Sequence, residues 1–255
     1  MRRLNLDVVS QSIIADSIYE LTVEGSGVEN MRVPGQFLHV KTGEGHSSLL
    51  RRPISICDVD ILNQRLTMVY RAQGKGTVWL SARKPGEKVD LLGPLGNGFT
   101  AAQPAGGEAL LVGGGIGVPP LYYLGRKLRE NGVRVSFALG FQSKKDSFYI
   151  EKFHELGQTD VATADGTLGM KGFVTDLISD RKAKVKPVVF ACGPSQMLGA
   201  LKDKTKGLKA YFSFEERMGC GVGACFACVC KADNKSGYVK ICSDGPVFAK
   251  EEVLL

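Results

Sequence analysis

Alternating apolar and polar positions dominate the first hundred residues. Leu4, Leu6 and Val8 alternate with polar neighbours, and LTVEG, QFLHVKT, ISICDVD and LTMVYR are short β-rich runs broken by Gly, Pro or polar residues. KPGEKVDLLGPLGNGF adds a strand between turns. No long segment here carries a helical period, so residues 1–100 predict a small antiparallel β-barrel. From about residue 105 the pattern changes. EALLVGGG is a buried strand entering a glycine loop, PPLYYLGRKLREN is amphipathic at helical spacing, and VRVSFALGF is a second buried strand. FVTDLISD, PVVFACGP and PSQMLGALKDK continue as helix, strand and helix. This alternation predicts a parallel α/β domain over 101–212. Residues 213–255 are rich in Cys and Gly and too few to bury a core alone, so they need a metal staple, docking onto the rest, or both. The expected fold class is α+β multidomain: an antiparallel barrel, a parallel α/β domain and a small C-terminal domain.

Composition changes this picture little. The 255 residues are 44% apolar and 23% charged, as in an ordinary soluble globular protein, and the 32 glycines gather in short runs that suit tight turns and phosphate loops. The net charge of +7 is spread along the chain, with mild clusters at Arg126–Arg129 and Arg181–Lys186. No basic element is interleaved with aromatics, which argues against a nucleic-acid partner. The positive balance suits attraction of an anionic dinucleotide. No apolar run reaches membrane-spanning length, and the first residues lack the apolar core and cleavage site of a signal peptide. A cytoplasmic protein with no membrane span is expected. Cys57, Cys192, Cys220, Cys225, Cys228, Cys230 and Cys242 are the cysteines, and five of the seven fall in the last 36 residues. In a cytoplasmic chain such clustering points to a metal site before disulfides.

The tail reads Cys220-GVGA-Cys225-FA-Cys228, with Cys242 following after thirteen residues. This C-x4-C-x2-C…C pattern is the spacing of plant-type [2Fe–2S] ferredoxins. A loop around a two-iron cluster must aim several thiolates inward while its amides approach the sulfides. Gly219, Gly221, Gly223 and Ala224 keep such a loop free of bulk. A structural zinc site of four thiolates is the competing reading, although zinc loops usually present two short cysteine pairs. Cys230 is spare to the motif and is expected to be a buried thiol.

Two further stretches suit phosphate chemistry. Arg51-Arg52-Pro53-Ile54-Ser55-Ile56 can aim a guanidinium at a pyrophosphate and a hydroxyl at an isoalloxazine edge, although a strand with surface arginines would read the same. After Val69-Tyr70-Arg71, the run Gly74-Lys75-Gly76-Thr77 opens a short helix whose N-terminus suits phosphate. In the second segment, Gly113-Gly114-Gly115-Ile116-Gly117 lies between a buried strand and a helix, so the backbone can approach a pyrophosphate. Leu139-Gly140-Phe141 and Cys192-Gly193-Pro194 end later strands, where ligands of open parallel sheets bind. Cys192 reads equally as a half-buried structural thiol or as facing the ligand. Asp165-Gly166-Thr167 reads as a ribose contact or a simple turn, and Lys144 and Lys145 could meet a 2′-phosphate.

The barrel motifs together resemble the ferredoxin–NADP reductase superfamily, whose barrel holds flavin and whose second domain holds the nicotinamide. The resemblance implies that Arg52, Pro53, Ile54 and Ser55 contact FAD, that Val69, Tyr70 and Arg71 lie along it, and that Gly76 and Thr77 bind its pyrophosphate. It assigns Gly113, Gly114, Gly115 and Gly117 to the dinucleotide, and Gly193 and Pro194 to the nicotinamide. The whole chain resembles the electron-transfer subunits of class B dihydroorotate dehydrogenase, through RRPISI, the GKGT turn, GPLGNGF, GGGIGVPP, EERMGCGVGACFACVC and CSDGPVF. That family implies FAD, one [2Fe–2S] cluster held by Cys220, Cys225, Cys228 and Cys242, and NAD as co-substrate. It also implies a separate FMN-containing catalytic subunit, a heterotetramer of two of each, and a place in pyrimidine (UMP) biosynthesis. The domains would then be a flavin-binding barrel (1–100), a nicotinamide-binding domain (101–212) and a cluster domain (213–255). Related subunits serve other acceptors, such as ferredoxin or sulfur compounds, so an NAD(P)H reductase subunit and a non-enzymatic zinc scaffold are the alternatives. No residue is needed as a general acid or base for hydride transfer, and His39, His46 and His154 read as surface or structural.

Overall fold

The computed structural model of the chain describes residues 1–44, 48–99, 107–178 and 186–254. His46, the predicted boundary at 100/101 and most of the basic cluster at 181–186 lie outside the described residues.

The alternating strands of the first segment close on themselves. β1 (Arg2–Ala15), β2 (Ile18–Glu24), β3 (Phe37–Val40), β4 (Arg52–Asp60), β5 (Arg65–Arg71) and β6 (Lys88–Leu95) form an antiparallel barrel in the order β1-β2-β5-β4-β3-β6. Closure removes the edges that would otherwise pair with other chains. Register follows the apolar pattern: Leu6 faces Val89 across β1 and β6, and Leu21 faces Met68 across β2 and β5. All four are almost wholly buried, each contributing about 1.5–3 kcal/mol of apolar burial. Between β5 and β6 lies the short helix α1 (Lys75–Ser81), as the GKGT turn predicted.

The second segment supplies β7 (Glu108–Gly114), α2 (Pro119–Glu130), β8 (Arg134–Phe141), α3 (Ile150–Leu156), β9 (Gln158–Thr163), β10 (Met170–Lys171), β11 (Val188–Cys192), α4 (Ser195–Lys204) and β12 (Ala210–Ser213). From β10 through β9, β8, β7 and β11 to β12, neighbouring strands are parallel, as predicted. Two details differ from expectation. FVTDLISD predicts a helix, but Val174–Ile178 is only a short 3-10 stretch. The Asp176 carboxylate accepts the Phe173 amide at 2.9 Å, closing the first turn of that stretch. The sheet is also mixed, because the tail adds a strand to it.

That strand is β15 (Val247–Ala249), antiparallel to β12; the tail also contains the small hairpin of β13 (Val229–Lys231) and β14 (Tyr238–Lys240). A forty-residue tail buries too little by itself. By joining the sheet it shares a core in which Ile241, Phe248 and Val253 pack with Phe212 and Leu201. It reaches the barrel as well, where the Asn97 amide donates to the Gly245 carbonyl at 2.6 Å.

α2 ties the barrel to the sheet. Leu121, Leu124 and Leu128 pack with Phe137 beneath the sheet, while Tyr123 enters the barrel core and donates to the Met31 carbonyl at 3.3 Å. Arg126 pairs with Asp58 of β4 at 2.7 Å and also with Glu130. One of the two basic clusters is therefore structural, its charges spent on neighbouring carboxylates and carbonyls.

Candidate functional site

Arg52, Pro53, Ile54, Ser55, Val69, Tyr70, Arg71 and Thr77 all line one cavity of about 760 Å³, a volume suited to a large ligand. β4 and β5 are barrel neighbours, so their outward residues form one wall, and α1 brings Thr77 to its rim. Thr77 accepts the amides of Gln73 and Gly74 at 3.1 and 3.2 Å, which holds the turn in shape. Gly76 lies just behind. A methyl there would come within 2.5 Å of the Thr42 hydroxyl and 3.4 Å of Arg52 Nε, so its bareness lets the guanidinium settle over the turn. Tyr70 donates to Gln11 at 3.1 Å and stacks on Tyr19, and burial pushes its phenol pKa up.

The two arginines of the RRP run divide their work. Arg51 turns back onto the barrel, pairing with Asp90 at 2.7 Å and donating to the His39 and Asp90 carbonyls. Arg52 donates to the carbonyls of Leu50 and Arg51, at 2.8 and 3.2 Å, and among the described residues no carboxylate pairs with it. An un-neutralised guanidinium at a cavity wall suits a diphosphate.

Sequence reasoning missed the opposite wall. Ile116, the run Ser213–Met218 and Pro246 complete the cavity. The EERM run was visible only as part of the cysteine signature, and nothing in its composition says that it faces a distant strand. Glu215 is exposed at the cavity wall, and the protein packed around it pushes its carboxyl pKa up.

The glycine loop stands at the carboxyl end of β7, with Gly115–Gly117 in a 3-10 turn before α2. Gly113 is level with Cys192 of β11, so the two strand ends meet. A methyl on Gly117 would lie 2.4 Å from the Cys192 carbonyl oxygen, whereas one on Gly193 would chiefly meet the flexible end of Met197. Gly117→Ala is therefore expected to displace backbone and cost about 1–3 kcal/mol, with Gly193→Ala costing less. Thermal melts of the two variants check the order. Cys192 is fully buried, so of its two readings the structural thiol fits the packing, although half-burial was expected. Asp165, Thr167 and the Lys144 amide come together at the ends of β8 and β9: Thr167 donates to Asp165 at 2.7 Å and accepts the Lys144 amide at 2.8 Å. The Thr167 hydroxyl and amide hold the Asp165 carboxyl below its ordinary pKa.

The four motif cysteines converge as two linked pairs. The Cys220 amide donates to Cys225 Sγ at 3.3 Å, and the Cys242 amide to Cys228 Sγ at 3.4 Å. The Gly223 amide, at 3.1 Å from Cys242 Sγ, joins the pairs, and the Val222, Ala224 and Cys225 amides all point at Cys220 Sγ. Desolvation pushes the Cys220 thiol up, but these amides outweigh it and bring its pKa down to about 6. Desolvation and the Cys228 thiol push Cys242 up to about 12. A pocket of amides aimed at sulfur fits an anionic iron–sulfur cluster, whose sulfurs accept such bonds. Gly221 and Gly223, at φ +73° and +81°, supply the left-handed turns the loop requires. Cys228 and Cys242 are buried, whereas Cys225 is exposed. Cys230 is half-buried, not buried as expected: it sits on the short β13 with its thiol 3.7 Å from Glu216. Of the three histidines, His154 is exposed and His39 is buried.

Residues 215–254 match the iron–sulfur cluster binding domain of dihydroorotate dehydrogenase B. The chain is 56% identical to proteins named dihydroorotate dehydrogenase B (NAD(+)), electron transfer subunit, from Bacillus cereus (strain AH187) and Bacillus anthracis (strain A0248), covering 100% of each. Among solved structures, an NADH-dependent reduced ferredoxin–NADP oxidoreductase studied for flavin-based electron bifurcation is 30% identical, with a TM-score of 0.87 over 98% of this chain and 89% of that one. The ferredoxin reductase in carbazole 1,9a-dioxygenase shares the fold at 18% identity, with a TM-score of 0.69 over 83% of this chain and 68% of that one. Identity at this level over the whole length, barrel, sheet and cysteine tail included, means that the chain belongs to the electron transfer subunits of dihydroorotate dehydrogenase B.

Proposed function

We propose that the chain carries electrons between NADH and the FMN of a dihydroorotate dehydrogenase catalytic subunit, by way of FAD and one [2Fe–2S] cluster. Bound FAD supplies the exchange between two-electron hydride chemistry and the one-electron chemistry of the cluster. The barrel wall from Arg52 to Ser55, with Val69 to Arg71, Gly76 and Thr77, binds and orients FAD. Gly113, Gly114, Gly115, Gly117, Gly193 and Pro194 receive the dinucleotide. Cys220, Cys225, Cys228 and Cys242 would hold the cluster. The division into domains at 1–100, 101–212 and 213–255 follows these three tasks.

One observation carries this reading: the wall formed by Ser213–Met218 runs through a single glycine into Cys220, so the flavin cavity and the thiolate loop are built from one continuous stretch. Electron transfer needs the two groups close together, and a shared stretch of backbone provides that. The partner side is supported by apolar exposure around Cys225. Val222, Phe226, Val229 and Tyr238 are each 38–49% exposed. Such a patch suits a docking face. We place the chain in a cytoplasmic heterotetramer of two electron-transfer and two FMN-bearing subunits. Identity of 56% along the full chain favours this acceptor over ferredoxin or sulfur compounds.

The test is the visible spectrum and metal content of the chain co-purified with a candidate FMN subunit, before and after NADH. Flavin bands, iron and acid-labile sulfide, bleached by NADH and restored by orotate, are expected. A colourless zinc protein would overturn the relay.

A further inference from the structure

His39 lies on β3, where it pairs in register with Pro53 of β4, one residue from Arg52. It is 1% exposed, and among the described residues neither ring nitrogen has a hydrogen-bond partner. Burying a polar atom without a partner is costly, and two on one imidazole more so. The ring is pressed against the cysteine loop. A methyl on Gly221 would lie 2.7 Å from His39 Nδ1 and 3.1 Å from Cε1. Glycine at 221 is therefore required twice, by its φ of +73° and by the imidazole beneath it. Burial, and then the Arg51 charge, hold the ring's pKa below its ordinary value; the Cys220 backbone, close by but outside hydrogen-bonding geometry for either ring nitrogen, opposes them. In either protonation state the ring carries at least one N–H. The opposite end of the residue is anchored, since Arg51 donates to the His39 carbonyl at 3.2 Å while pairing with Asp90. Backbone, ring and loop thus connect the strand beside the flavin cavity to the first cluster thiol.

We propose that His39 is a positioning residue for the cluster: its imidazole seats the Cys220–Gly221 turn on the barrel and supplies an N–H donor to the Cys220 side of the bound group. This inference rests on the cluster assignment above. An N–H donated toward cluster sulfur or its thiolate favours the more negative, reduced state, so it raises the reduction potential. The same contact fixes the loop's distance from the flavin-bearing strands.

The experiment compares the wild-type holo-protein with His39→Leu and His39→Gln. It measures FAD, iron and sulfide content, the EPR spectrum of the reduced cluster, and its midpoint potential by redox titration. For His39→Leu the expected result is unchanged FAD with a cluster that is either lost or shifted to more negative potential, with altered EPR g-values. His39→Gln, which keeps a donor, is expected to move both readouts back toward wild type. If His39→Leu does not fold, His39→Gln decides: wild-type potential supports the donor, and a potential shifted negative with full cluster content overturns it. A His39→Leu protein with wild-type iron, EPR spectrum and potential also overturns the proposal. Failure of the cluster assignment is distinct, because wild-type protein would then contain no iron or acid-labile sulfide, and the proposal would fall with it.

Discussion

Cys225→Ser is expected to abolish electron delivery from NADH to the partner while leaving FAD bound. Cys225 is at the exposed end of the loop, and serine offers a harder oxygen donor that stays protonated at neutral pH and suits iron–sulfur iron less than a thiolate does. Changes to residues that merely orient metal ligands already cost about 10–100-fold, so loss of a ligand should cost at least about 100-fold in transfer. The fold should survive. Cys225 is exposed and packs into no core, whereas Cys228 and Cys242 belong to the core that joins the tail to the sheet. Serine at 228 or 242 would therefore confuse cluster loss with unfolding. Iron, sulfide and flavin analysis, together with NADH-dependent reduction of the partner, separates the two effects. Full transfer in a protein without cluster would refute the relay.

The second large effect falls on flavin. Arg52→Ala removes a cavity-wall guanidinium that, among the described residues, no carboxylate pairs with. Hydrogen bonds to charged groups contribute about 1.5–3 kcal/mol, so FAD affinity should fall roughly ten- to a hundredfold. The barrel should stay intact, because Arg51, not Arg52, ties β4 to Asp90 on β6. Flavin retained through gel filtration, against the melting temperature of the flavin-free protein, gives the answer. Unchanged flavin content would remove Arg52 from the site.

Most of the architecture was legible as periodicity. A two-residue period that ends near residue 100, followed by alternating buried strands and amphipathic helices, predicts a barrel followed by a parallel sheet, because each period buries one face of one kind of element. The cysteine loop was legible as spacing, since ligands of a small cluster must come from a short, glycine-rich stretch. In the structure, backbone amides of the tail lie 3.1–3.4 Å from the cysteine sulfurs. At FVTDLISD the described residues Val174–Ile178 form a tight 3-10 turn where an α-helix was expected, a difference in winding that periodicity does not register.

By itself, then, the sequence determined the order of the elements and the spacing of the cysteines and of the glycine turns, all of which are local properties of the chain. Only the tertiary structure decided which local pieces face one another. It set Ser213–Met218 across the cavity from Arg52, gave Arg51 to Asp90 and left Arg52 un-neutralised, buried Cys192, and brought His39 under Gly221, 182 positions away along the chain. Such meetings depend on barrel closure and on the tail joining the sheet. Both are driven by non-directional burial of apolar surface, which leaves no pairwise signature in a single sequence.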